Sequence, residues 1–146
     1  MTTRSLLMLL GMLFSASLFS QSDEDLIRHT IQNYFNGTAY NYLEQAESAF
    51  HPEAELYLEN REGELMKLTA AEYIDLFKNN EPGKFGGRYS KLLSIDIEGN
   101  LALVKAEILM PARNRRYIDV FIMKEVEEGS WLIISKAANS SLIKEE

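Results

Sequence analysis

The sequence has 146 residues, 46% of them hydrophobic and 25% charged, which fits one globular domain able to bury a core without metal or disulfide staples. It contains no cysteine, which excludes disulfides, thiolate metal sites, a cysteine nucleophile and a lipid-modified cysteine. A formal net charge of −7 argues against nucleic acid and anionic lipid as partners, because counterion release needs a basic surface.

The N-terminus reads as a secretory signal peptide. Arg4 supplies a short positive region, an apolar run follows through Phe14, and Ser15, Ala16, Ser17 and Ser20 are the small residues that precede cleavage. The apolar stretch from Ser5 to Phe19 is 15 residues, short of the roughly 20 that span a bilayer. Cleavage after Ser17 or after Ser20 are the two expectations. Residues 1–20 are therefore assigned to the signal and 21–146 to one domain, exported to the periplasm or beyond, with no membrane contact after cleavage.

Ser22 followed by Asp25 is a capping signal, and Leu26, Ile27, Thr30, Ile31, Tyr34 and Phe35 recur at helical spacing. A first helix is expected from Asp23 to Tyr40, with a break at Asn36-Gly37. Asn41 with Glu44 signals a second helix, short and lined by Leu43, Ala46, Ala49 and Phe50; Pro52 ends it by disfavouring the helical conformation at His51. Residues 54–60 alternate as a half-buried strand, Arg61-Glu62-Gly63 is a turn, and 64–68 is the partner strand. Thr69 with Glu72 is a capping box that opens a third helix with Tyr73, Ile74 and Phe77 on its apolar face. Residues 79–87 form the longest irregular stretch, rich in turn residues.

Four strand-like runs close the chain, at 88–97, 101–110, 116–126 and 130–138, joined by short links that imply an antiparallel meander. The third run has Tyr117, Phe121 and Met123 on one side and Ile118, Val120 and Ile122 on the other. A sheet wet on one face has no need of that. One face is expected to pack on the helices and the other to be covered by curvature or by a second copy. The fold class is α+β: three helices over a curved antiparallel sheet, enclosing a pocket for a small apolar or aromatic molecule.

This order of elements resembles the nuclear-transport-factor-2-like cone, also called the cystatin-like fold. Tyr34-Phe35-Asn36-Gly37 leading through Ala46 to Phe50-His51-Pro52 is similar to that superfamily's helix, kinked short helix and His-Pro exit. Tyr117-Ile118-Asp119-Val120-Phe121, then Lys124, Gly129 and Trp131 to Lys136, is similar to its last hairpin. Within the superfamily the chain resembles the branch of lumazine-binding proteins. The resemblance implies a cone with a pocket. The superfamily includes ketosteroid isomerase, scytalone dehydratase, SnoaL-like cyclases and non-enzymatic binding or dimerisation modules, so fold alone does not choose a function.

Asp119 is the residue most suited to chemistry. It shares a strand face with Tyr117, Phe121 and Met123, and a desolvated carboxylate gains the basicity that proton transfer needs; ketosteroid isomerase holds acid and base in such surroundings. The opposing reading is a carboxylate that accepts hydrogen bonds and fixes the strand. His51 is a candidate partner able to exchange a proton near neutrality, or simply a tie between helix exit and sheet. Tyr34, Tyr57, Tyr73, Phe77, Tyr117, Phe121 and Trp131 are candidate ligand-binding walls, each also suited to ordinary core. The two histidines lack metal-ligand spacing, no G-x-S-x-G elbow is present, and Gly83-Lys84-Phe85-Gly86-Gly87 precedes a strand and not a helix. No metal and no cofactor are expected. Three functions stay open: a small-molecule binder, which the residues favour; a cofactor-independent isomerase, dehydratase or cyclase using Asp119; and a module that dimerises through its sheet.

Overall fold

The computed structural model of the protein describes residues 21–60 and 62–144; the expected signal peptide lies outside the described residues. Helix α1 spans Asp23–Tyr40, the predicted range. Ser22 caps it, its hydroxyl accepting from the Asp25 amide at 3.2 Å, and three acidic residues in the first turn suit the positive end of the helix dipole. The stripe Ile27, Ile31, Tyr34, Phe35 and Thr38 is buried.

The expected break at Asn36-Gly37 does not occur. Gly37 is instead where the next helix crosses: a Cβ there would stand 2.4 Å from the Ala46 backbone nitrogen. Asn41 was expected to open the second helix, and it ends the first. It takes the left-handed conformation at φ 60°, which Asn tolerates better than most residues. Its amide nitrogen donates to the carbonyls of Glu81 and Lys84, and its amide oxygen accepts from Asn80. The amides of Gly83 and Gly86 donate at 2.7 Å to the carbonyls of Tyr40 and Ala39. The long loop thus satisfies carbonyls that the helix end would leave orphaned.

Helix α2 covers only Leu43–Glu47, and strand β1 begins at Phe50, running Phe50–Glu59. Phe50 was expected in the helix. Pairing decides otherwise: Phe50 aligns with Ile133 of the last strand, and the Ile133 amide donates to the Ala49 carbonyl at 2.9 Å. Strand β2 is Leu65–Thr69 and helix α3 is Ala70–Asp75, opened by the complete Thr69/Glu72 capping box. Strands β3 (Tyr89–Glu98), β4 (Leu101–Met110), β5 (Arg115–Glu127) and β6 (Ser130–Leu142) form the meander.

The six strands make one sheet in the order β2-β1-β6-β5-β4-β3. All neighbours are antiparallel except β1 and β6, which run parallel, so the sheet is mixed and its two hairpin systems join edge to edge. The core lies between the helices and one face of this sheet. Strand β4 shows the alternation plainly: Ala102, Val104, Ala106 and Ile108 are buried, and their odd-numbered neighbours lie on the other face. Phe121, Met123, Trp131, Ile133 and Leu56 complete the inner layer against Ile27, Ile31, Tyr34 and Phe35.

Candidate functional site

Asp119 shares a face with Phe121 and Met123, as its parity predicted; that face, which the sequence left open, is the inner one, and Asp119 is buried. Three elements converge on it. From α1, the Tyr34 hydroxyl donates to Asp119 Oδ2 at 3.0 Å. From α3, the Tyr73 hydroxyl lies 2.9 Å from that of Tyr34. Since Tyr34 gives its only proton to Asp119, Tyr73 is the donor of that second bond. From β6, Lys136 Nζ lies 3.1 Å from the same Oδ2. The ammonium also sits over the Tyr73 ring, 5.0 Å from its centroid, and 5.9 Å from that of Tyr34. Proton donors therefore run from Tyr73 through Tyr34 to Asp119, with Lys136 closing the carboxylate from the other side. Burial, followed by the Asp119 charge and then Tyr73, pushes the Tyr34 hydroxyl well above the usual tyrosine range, so Tyr34 serves as a proton donor and not as a base.

The Asp119 and Lys136 side chains are only 2% and 3% exposed. A ligand reaches them only if something moves. An ion pair this deep loses much of its Coulomb gain to desolvation, and the hydrogen bond that Asp119 accepts from Tyr34 helps to make it tenable.

The other expected site residues separate into groups. Phe121 packs edge-on against Tyr34 with centroids 5.2 Å apart, and Phe77 packs edge-on against Tyr73 at 5.5 Å; both stand beside the Asp119 cluster. Tyr117 is half-buried at its border. Trp131 lies at the start of α1, donating from Nε1 to Asp23 at 3.2 Å, while its carbonyl accepts from Thr30. Tyr57 is on the opposite face of β1 from buried Leu56, bonded to Glu55, which pairs with Lys67. His51 accepts from the Glu53 amide through Nδ1 at 3.2 Å and lines a separate surface groove of about 380 Å³ with Glu44, Glu47 and Pro52. Among the described residues no hydrogen bond joins it to Asp119.

Two residues not singled out from the sequence belong here. Lys136 is one. Arg88 is the other: its guanidinium stands 5.6 Å from the centroid of the Phe77 ring, donates to Met110 Sδ at 3.7 Å, and acts electrostatically on Tyr73, Tyr34, Asp119 and Tyr117. Arg88 also lines a cleft of about 190 Å³ between α1 and the start of β3, with Phe35, Asn36, Tyr40, Phe85 and Ser90. Aromatic rings continue along its rim: Tyr40 lies 5.4 Å from Phe85, and Phe85 lies 5.0 Å from Tyr89. Tyr40, Phe85 and Tyr89 are exposed.

Residues 22–138 match the model of the family described as "Putative lumazine-binding". The chain belongs to this family. Solved structures agree on the cone. An NTF2-like (nuclear-transport-factor-2-like) protein of unknown function from Shewanella baltica superposes with a TM-score of 0.72 at 18% identity, covering 84% of this chain and 98% of that one. An NTF2-like protein of unknown function from Methylobacillus flagellatus gives 0.71 at 24% identity, covering 84% and 94%. A "putative ketosteroid isomerase" from Kribbella flavida gives 0.52 at 15% identity, covering 84% and 82%. No curated protein matches. The lumazine-binding family model thus spans all the elements that build the Asp119 cluster, including Lys136, and these neighbours share the frame that holds it.

Proposed function

We propose that this chain is an exported, non-catalytic small-molecule-binding protein whose ligand carries an aromatic ring and enters the cleft between α1 and β3. The carrying observation is the row Tyr40, Phe85 and Tyr89, three exposed aromatics in mutual contact around an existing depression. Exposed contiguous apolar surface is costly unless something covers it, and aromatic walls with polar tips suit a flat ligand. The family's description names lumazine, a flat bicyclic compound, and so supports a ring-bearing ligand class without fixing its identity. Export is supported by the signal-like residues 1–20 and by a first helix that begins at Asp23, just past both expected cleavage points.

An acid–base enzyme is the second reading. The contact between Tyr34 and Asp119 favours it, as does the likeness to the Kribbella protein, whose described role is isomerisation. Lys136 and the near-complete burial of the pair weigh against it, because a general base must be reachable by the proton it takes. The outer face of the sheet adds a partner: Leu101, Leu103 and Ile122 are exposed there, with Leu103 directly opposite Ile122. This apolar face is proposed to pair with a second copy.

Native mass spectrometry of the protein purified from its own host tests the whole reading in one spectrum. The expected result is a mass lacking residues 1–17 or 1–20, an added small molecule, and a dimer. A ligand-free species that also binds no aromatic compound would sink the binding function. Turnover of a ketone or dehydratable substrate that Asp119→Asn abolishes would replace it with the enzyme reading.

A further inference from the structure

Charge does not balance inside the cone. Among the described residues, Asp119, Lys136 and Arg88 are the charged groups that meet there. Lys136 takes the carboxylate, and no carboxylate of the described residues lies within 4 Å of Arg88, which enters no ion pair. One positive charge, on half-buried Arg88, is left without a carboxylate partner in a chain whose formal net charge is −7. Arg88 Nε is shut off from water and has no hydrogen-bond partner. The hydrogen bond of the neighbouring Nη1 goes to a thioether sulfur, a weak acceptor. A buried donor without an acceptor is unfavourable.

The second unpartnered buried atom in the described structure is Ser90 Oγ. Arg88 immediately precedes β3 and Ser90 is its second residue. Two residues apart in extended chain, their side chains point to the same side, and both line the aromatic cleft. Two orphaned donors, a guanidinium nitrogen and a hydroxyl, thus converge at a depression whose rim is aromatic. Arginine's planar fork matches a carboxylate better than any neutral acceptor. A volume of about 190 Å³ falls below the roughly 300–1,000 Å³ of sites for drug-sized ligands, which limits the occupant to about one ring with its acid group.

We propose that Arg88 and Ser90 form the anion-binding floor of this cleft and that its ligand is a small aromatic carboxylate, the ring resting on Tyr40 and Phe85 and the carboxylate accepting from Arg88 Nε and Ser90 Oγ after a side-chain shift that opens these two sealed atoms to the cleft. This deepens the binding function above and rests on it. Binding supplies the counter-charge that the fold leaves out. It also explains why the aromatic rim surrounds a polar floor and not a continuous apolar wall.

The test compares benzoate with benzamide, which has the same ring and no charge, titrated into the purified chain and followed by ¹H–¹⁵N NMR. The Arg88 Nε–H resonance is assigned by its loss in Arg88→Gln. Benzoate is expected to shift that resonance and to bind at least about ten-fold more tightly than benzamide, since a charge-assisted hydrogen bond exceeds a neutral one by about that factor. Arg88→Gln is expected to erase the preference, and Ser90→Ala to reduce it while leaving the fold intact. Equal binding of benzoate and benzamide, unaffected by Arg88→Gln, overturns the carboxylate assignment and leaves the aromatic cleft standing. Failure of both compounds to bind at millimolar concentration overturns the cleft as a ligand site altogether.

Discussion

Asp119 is held by contacts that bear on stability whatever else it does. Its Oδ2 accepts from Tyr34 and faces Lys136, and the pair sits where water barely reaches. Removing one member of such a pair strands the other as an uncompensated charge, which costs about 3–5 kcal/mol. Asp119→Asn is therefore expected to lower the free energy of unfolding by that amount in a urea titration. Replacing both, Asp119→Leu with Lys136→Met, is expected to recover most of that loss, because the desolvation cost disappears with the charges, less about 1–3 kcal/mol for the buried Tyr34 hydroxyl left without its acceptor. If the double variant were as unstable as Asp119→Asn alone, the pair would have to contribute through something other than mutual neutralisation.

Among the elements, the crossing of α1 and α2 shows a glycine required by space and not by turn conformation. In a helix interior Gly→Ala ordinarily stabilises by up to about 1 kcal/mol. At Gly37 the added carbon would meet the Ala46 backbone at 2.4 to 2.6 Å, well inside contact distance, and backbone cannot swing aside as a flexible side chain can. The steric term wins: Gly37→Ala is expected to destabilise by about 1–3 kcal/mol, read as a fall in the urea midpoint at unchanged slope. A rise in the midpoint would mean that α2 gives way freely. Asn41 works at the same junction by a different route, its left-handed turn and its three amide contacts holding the 79–87 loop against the end of α1. Through that loop α1 carries Phe85 to the cleft.

For the whole molecule the question is what covers the outer face of the sheet. Leu101 and Leu103 on β4 and Ile122 on β5 are between 43% and 49% exposed, and Ile118 and Val120 extend the patch along β5. Lone exposed apolar residues are ordinary; a set spread over paired strands supports the proposed interface. Leu103→Glu is expected to convert the proposed dimer to a monomer in sedimentation velocity while leaving the far-ultraviolet circular dichroism unchanged. A parent chain that sediments as a monomer at tens of micromolar would remove the interface.

Much of this fold could be read from the chain itself. The capping residues Ser22 and Thr69, the stripe on α1 and the alternation of β4 and β5 are local periodicities, and each placed its element and grouped the residues that share a face, Asp119 with Phe121 and Met123 included, without saying which strand face turns inward. What stayed hidden lies beyond breaks in that periodicity. On β6, strict alternation from buried Trp131 and Ile133 would send Lys136 outward, but the pairing with β5 slips between Ile133 and Ser135 and turns Lys136 into the core. On β3, a similar slip between Leu92 and Ser94 lets Arg88 and Ser90 share the inner side with Leu92 and Ile95, although their sequence parity differs from that of Ile95. A bulge of one residue exchanges the two faces of everything past it, and it is set by the neighbouring strand, not by the residues that it reorients. Local spacing therefore determined which residues share a face with the carboxylate, while tertiary pairing decided that this face turns inward, which cations surround it and where a ligand could meet them.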